Sequence, residues 1–237
     1  QSGRLHGLEA LIRWPHPRRG EVSPGEFIGL AEELGLIAPI GRWILREACM
    51  TFVKWREDFP DNAPSFINVN VSRGQLRDPG LIGHVHAIML ESGIEPDMLR
   101  LEITESMVMD DLDHMSEVLH QLKDLGVGLA MDDFGTGHSS LTCLHRFPLD
   151  VLKIDRSFIN SAGRKERHYG AILHSVIELA GNLDMHVIAE GIENPNQLSL
   201  LQGLSCHYGQ GYLFSQPASA ENAELLFNQD FTKPKAA

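Results

Sequence analysis

VGLAMDDFGTG, residues 127–137, is an apolar run that ends in two adjacent carboxylates, Asp132 and Asp133, and a loop punctuated by Gly135 and Gly137. A short, nearly continuous apolar run reads as a strand buried on both faces. Asp and Gly alone would suit a plain turn. Two carboxylates directly before a glycine loop are less expected there, so the question becomes whether other runs end the same way.

They do. Working outward, the further strand candidates are GLEALI (7–12), SFINVNV (65–71), LRLEIT (99–104), DVLKID (150–155), HVIAEG (186–191) and SCHYGQG (205–211). Asn70, Glu102, Asp132, Asp133, Asp155, Glu190 and Gln210 fall at or near the ends of successive runs. The intervening segments read as helices. Ser23-Pro24-Gly25-Glu26 predicts an N-cap, a first-turn proline and a capping-box glutamate, with Gly35 at the exit. After Thr104, a helical face is predicted from Val108, Leu112, Met115, Leu119 and Leu122, closed by Gly126. A later helix is predicted to bury Ile172, Val176, Ala180 and Leu183.

Repeated strand–helix units give a parallel sheet with right-handed crossovers, either doubly wound or closed into a barrel. A barrel gathers the C-terminal ends of all its strands at one mouth. A doubly wound sheet would scatter them along a crevice, and no dinucleotide glycine fingerprint is present. The polar strand ends therefore favour a TIM-type α/β barrel with one anionic pocket.

The chain has 237 residues, 20 Lys and Arg against 32 Asp and Glu, and a net charge of −12. This excludes a general nucleic-acid binder and a binder of anionic membranes, both of which need basic surface. Three cysteines, Cys49, Cys143 and Cys206, show no CxxC spacing and predict a reduced, cytoplasmic protein. No apolar run approaches the roughly 20 residues of a membrane span. One domain is expected over residues 1–228, with a tail over 229–237.

Carboxylates crowded in a poorly solvated cleft repel one another, and a cation is the usual remedy. Oxygen ligands plus an amide suit Mg²⁺ or Mn²⁺, and the Asp132-Asp133 pair could serve two metals with one carboxylate bridging. Lys153, in the run LKID, adds positive charge beside them. His84 and His86 lie in a helical stretch where i and i+2 do not share a face. None of the twelve histidines is expected to be a ligand.

Glu9-Ala10-Leu11-Ile12-Arg13-Trp14 resembles the signature of the EAL domain, a family of cyclic-di-GMP phosphodiesterases. The similarity continues through VNVS (69–72), LEITES (101–106), DDFGTG (132–137), LKID (152–155), AEGIE (189–193) and QGYLF (210–214). The resemblance implies a (β/α)8 barrel with one antiparallel strand. It also implies that the chain extends upstream by a strand ending in Gln-Pro. Glu9, Asn70, Glu102 and Asp132 would hold one divalent metal, and Asp133 and Glu190 a second, with Asp132 bridging. Lys153 and Glu190 would orient or deprotonate the attacking water, supported by Asp155 and Gln210. Arg13 resembles a phosphate-contacting arginine, and Gln210 is grouped with it at the substrate. Glu105 would fix the DDFGTG loop, and Glu193 would stabilise a loop nearby. His138 stands where the family more often has Tyr.

The reading is a Mg²⁺- or Mn²⁺-dependent phosphodiesterase that cuts cyclic-di-GMP to linear pGpG, with Ca²⁺ inhibitory. The alternatives are a receptor that holds cyclic-di-GMP without cutting it, and a metal-dependent phosphodiesterase barrel for another substrate. A receptor would be expected to have lost metal ligands or the lysine, and every expected position here is filled. The resemblance further implies a homodimer and an upstream sensory or cyclase domain, with no DNA partner and no membrane contact by this segment.

Overall fold

Leu99, Leu101 and Ile103 are 0–1% exposed and pack in the main core with Leu119, Leu122, Val85 and Ile88. Arg100, Glu102 and Thr104, between and after them, point the other way, as strand alternation requires. This one strand thus has an outer face against helices and an inner face that carries the chemistry. The same logic repeats around the sheet.

In the computed structural model, which describes residues 2–109, 111–135, 141–162 and 167–232, the chain begins β1 (Gly7–Ala10), β2 (Trp14–His16), β3 (Gly20–Val22), α1 (Pro24–Glu33), α2 (Ile37–Asp58), β4 (Phe66–Asn70), α3 (Arg73–Leu76), α4 (Leu81–Ser92) and β5 (Leu99–Thr104). It continues α5 (Glu105–Val108), α6 (Leu112–Asp124), β6 (Gly128–Phe134), α7 (Leu141–Arg146), β7 (Val151–Ile154), α8 (Arg156–Ala162), α9 (Arg167–Asn182), β8 (His186–Ala189), α10 (Pro195–Gly203), β9 (Tyr208–Gly209) and α11 (Ala220–Ala223).

Seven strands form one sheet in the order β1-β4-β5-β6-β7-β8-β9, and every pairing in it is parallel. All seven strands expected from the sequence are present. The antiparallel strand implied by the family resemblance is not among them. Among the described residues, antiparallel pairing is confined to the β2–β3 hairpin, which was not foreseen. The sheet curls, so that β1 and β9, its outer strands, meet through side chains: Gln210 reaches Glu9, and the rings of His6 and Tyr208 stand edge to face.

The helices depart from expectation in two places. Ser23 precedes α1 with Pro24 in its first turn, but no side-chain cap forms. Glu26 instead pairs with Arg19 at 2.6 Å, a charged partner winning over the backbone. Gly35, at φ +69°, marks the exit as expected. In α9 the most deeply buried stripe is Leu173, Ile177 and Ala180, whereas Ile172 is 45% exposed. Two overlapping apolar stripes run along that helix, and the one displaced by a residue packs inward. The stretch after Thr104 folds as two helices, α5 and α6, with Asp111 capping the second through the His114 N–H. Val108, Met115, Leu119 and Leu122 are buried, and Gly126 takes φ +88° at the close. Among the described residues no helix is long and apolar enough to cross a membrane.

Candidate active site

Lys153 lies in β7 between the buried residues Leu152 and Ile154, and its side chain is only 1% exposed. A lysine ammonium tolerates such burial only when paired. Its Nζ lies 2.7 Å from Glu190 Oε1, 2.8 Å from Glu102 Oε2, 3.4 Å from Glu9 Oε2 and 3.4 Å from Asp132 Oδ1. These carboxylates come from β1, β5, β6 and the residue after β8. Each is at or near a strand's C-terminal end, which is why residues spread over most of the chain converge.

Amides complete the inner ring. Asn70, last in β4, donates through Nδ2 to Glu9 Oε1 at 2.7 Å. Gln210, after β9, donates to Glu9 Oε2 at 2.8 Å. Asn68 donates to Glu102 Oε1 at 2.7 Å. Sequence reading passed over Asn68, although its signal was present: two places before Asn70 in a strand, it shares that residue's face.

Asp132 and Asp133 are adjacent, yet both serve this mouth. The strand register shifts between Met131 and Phe134, and Asp133 adopts φ +54°. The Asp133 N–H donates to Asp132 Oδ1 at 2.9 Å. This turn brings carboxylate oxygens of Asp132, Asp133 and Glu190 within 4.8 Å of one another. Asp155, following β7, accepts the Ser157 N–H at 2.9 Å and so caps α8, while its charge adds to that of Asp133.

The charges are unbalanced, with four carboxylates around one ammonium. Burial pushes Glu102 up to about 8 against the pull of Lys153, and Glu9 and Asp132 add repulsion. Burial likewise raises Glu190 to about 7. Asp133 is raised by burial and by Asp132. Glu9 goes the other way: burial opposes its charge, but Lys153 and the Gln210 and Asn70 amides outweigh it. Burial works against the charge of Lys153, yet Glu102, Glu9, Asp132 and Glu190 hold its ammonium well above the ordinary lysine value. An all-oxygen donor set with surplus negative charge fits a hard divalent cation.

The remaining expected residues lie further out. Arg13 pairs with Glu21 at 3.3 Å and donates to the Ile12 carbonyl. It lines, with Glu9, Asp132, Lys153, Glu190 and Gln210, a cleft of about 1010 Å³. Glu105 opens α5 and is buried, but residues 136–140 of the loop it was expected to fix, His138 among them, lie outside the described residues. Glu193 is exposed. The loop there is held by Gln197, a residue the sequence reading missed, whose Oε1 accepts the Glu193 and Asn194 N–H groups. Its signal was the Asn194-x-x-Gln197 capping box before an apolar run.

A parallel α/β sheet curled around an acidic, lysine-centred mouth defines a barrel-class protein. The chain belongs to the EAL domain family, whose model matches residues 1–217. It is 42% identical over 220 residues to the bifunctional diguanylate cyclase/cyclic di-GMP phosphodiesterase MucR of Pseudomonas aeruginosa, covering 93% of this chain and 32% of MucR. It is 40% identical over 216 residues to the cyclic di-GMP phosphodiesterase NbdA of the same organism, covering 91% of this chain and 27% of NbdA. The chain thus spans about a third or less of these relatives. Its fold is similar to the MucR phosphodiesterase in a c-di-GMP complex, with a TM-score of 0.84, 41% identity and coverage of 91% and 86% of the two chains. It also matches the EAL enzyme Bd1971 in a form bound to cAMP and cyclic-di-GMP, at a TM-score of 0.89 and 32% identity, covering 95% and 61%.

Proposed function

We propose that this chain hydrolyses cyclic-di-GMP to linear pGpG with two divalent cations, Mg²⁺ or Mn²⁺. The observation that carries the reading is the intact ring about Lys153. Glu9, Glu102, Asp132 and Glu190 all lie within 3.4 Å of its Nζ, and Asn70 and Gln210 brace Glu9. A chain that only binds would be expected to lack part of this set.

Glu9, Asn70, Glu102 and Asp132 would hold one cation, and Asp133 and Glu190 the other, with Asp132 shared. When bound, the ions supply charge neutralisation for an in-line displacement and stabilise the leaving oxygen. Lys153 keeps its proton and acts as a fixed positive charge beside the reacting phosphate. Glu190, whose Oε1 lies 2.7 Å from Lys153 Nζ, would orient the attacking water or take its proton. Asp155, anchored at the start of α8, orients that water with Glu190. Gln210 aligns Glu9 from the far edge of the sheet. Arg13 would exchange its exposed Glu21 partner for a substrate phosphate. Glu105 and Glu193 would steady the loops after β6 and β8.

A homodimer, and a sensory or cyclase domain elsewhere in the protein, belong to the same proposal. So does a cytoplasmic setting for the reaction. The deciding experiment is product analysis of purified protein incubated with cyclic-di-GMP, with and without Mg²⁺. Linear pGpG formed only with Mg²⁺ supports the reading. Intact cyclic-di-GMP retained on the protein in saturating Mg²⁺ would make it a receptor instead.

A further inference from the structure

On each strand, the residue two places before a site residue lies on the same face, one layer deeper in the barrel. Ala130 precedes Asp132 in this way, Val151 precedes Lys153 and Ile188 precedes Glu190. These three pack as a small apolar cluster of their own. Asn68, two places before Asn70, stands at the same depth and is 3% exposed.

Asn68 is poorly suited to that layer as a matter of packing. Its Nδ2 is used on Glu102, but its Oδ1 is buried without a hydrogen-bond partner among the described residues. A buried acceptor left unmatched works against folding, and an apolar side chain of similar size would remove that cost only by leaving Glu102 Oε1 without its donor. What the amide does supply is a donor to Glu102. That carboxylate has one oxygen on Lys153 at 2.8 Å and the other on Asn68 at 2.7 Å. Two donors, one on each oxygen, fix the carboxylate plane. With only Lys153 left, the terminal torsion of Glu102 would be free to turn, since such torsions have broad energy wells.

We propose that Asn68 is a positioning residue for Glu102, setting the plane in which that carboxylate meets a divalent cation. Asn68 itself touches neither cation nor substrate. The inference rests on the reading of Glu102 as a cation-holding residue.

The test compares the parent, Asn68→Val, Glu102→Ala and the double variant. Mn²⁺ affinity is measured by calorimetry and thermal unfolding in chelator, with kcat and KM for cyclic-di-GMP alongside. Asn68→Val is expected to weaken Mn²⁺ binding about tenfold or more, with the thermal melt showing that the variant still folds. kcat should fall while KM stays near the parent value. In the Glu102→Ala background the same substitution should leave Mn²⁺ affinity unchanged, because its route of action is gone. An unaltered Mn²⁺ affinity in Asn68→Val, or an equal loss in both backgrounds, overturns the proposal. Should Asn68→Val fail to fold, Asn68→Ala is judged by the same affinity criteria. A parent that binds Mn²⁺ but leaves cyclic-di-GMP intact overturns the phosphodiesterase reading alone, and the affinities still decide the role of Asn68. A parent that binds no Mn²⁺ overturns both.

Discussion

Gln210 Nε2 lies 2.8 Å from Glu9 Oε2, joining residues 201 positions apart across the two outer strands of the sheet. The curl is closed at its mouth by a side chain acting on a carboxylate of the site. Folding and site assembly are therefore coupled at this contact.

Gln210→Leu keeps the bulk and removes the donor. A hydrogen bond to a charged group contributes about 1.5 kcal/mol or more, so this variant should lose about that much stability at pH 7.5. Urea unfolding monitored by circular dichroism measures it. An unchanged midpoint would mean that the contact contributes nothing to closure.

Lys153→Met removes the ammonium that faces four carboxylates. Stranding buried charges in this way costs about 3 kcal/mol or more. The loss should be large at pH 8.5 and much smaller at pH 5.5, where Glu102 and Glu190 are protonated. Thermal melts at the two pH values would reveal this crossover, and a loss independent of pH would contradict it.

The cation-free protein should lose stability as pH rises. Glu102 and Glu190 sit at about 8 and about 7 in the fold, against an ordinary 4.5. The folded state therefore binds more protons than the unfolded chain between those limits. Their contribution is complete below pH 4.5 and disappears as pH climbs through 7 to 8. Melting temperature in chelator should decline from pH 5.5 to 8.5. Saturating Mg²⁺ should flatten the decline, because a cation replaces the protons.

Asp133 occupies the left-handed region at φ +54°. Asp133→Gly should fold within about 1 kcal/mol of the parent, since glycine adopts this conformation freely. Asp133→Val should lose a further 1–3 kcal/mol or so, because a β-branched residue is strained there. Both should lose hydrolysis. Denaturant titration of the pair separates backbone strain from loss of the carboxylate.

Chelation should abolish turnover, and Mg²⁺ or Mn²⁺ should restore it. Ca²⁺ should bind but support little, as its longer bonds and looser geometry spoil a two-cation spacing. Glu9→Ala and Asp132→Ala should lower kcat on the order of a hundredfold. Assays of pGpG release under each condition decide the matter, and parent-like rates in either variant would contradict the assignment.

The parallel sheet was legible because its strands are short apolar runs, each ending in a polar residue that the packing does not need. Glu102 and Lys153 stood out as charges inside such runs. The β2–β3 hairpin was not legible. Trp14–His16 and Gly20–Val22 are three residues each, contain Pro15 and Glu21, and show no alternation. With the hairpin unseen, Arg13 had no visible partner, yet Glu21 beyond the turn engages it. Ile172 was misassigned because α9 carries two apolar stripes, and only tertiary packing chooses between them. Gln197 and Asn68 were missed for a different reason. Neutral amides leave no charge anomaly, and only their positions in a cap and on a strand face give them away.

The left-handed turn at Asp133 acts as a ruler made of covalent bonds. Asp132 and Asp133 hang from neighbouring α-carbons about 3.8 Å apart, and the Asp133 N–H bond to Asp132 Oδ1 ties them further, so their relative placement depends more on local chain geometry than on the stacking of strands. Glu190 joins them only through the stacking of β6, β7 and β8. Heat, crowding or a remote substitution that lets those strands slide would shift Glu190 relative to the pair while disturbing the pair's own spacing less. Loss of function from such distant changes should then be graded, with one half of the centre drifting more than the other.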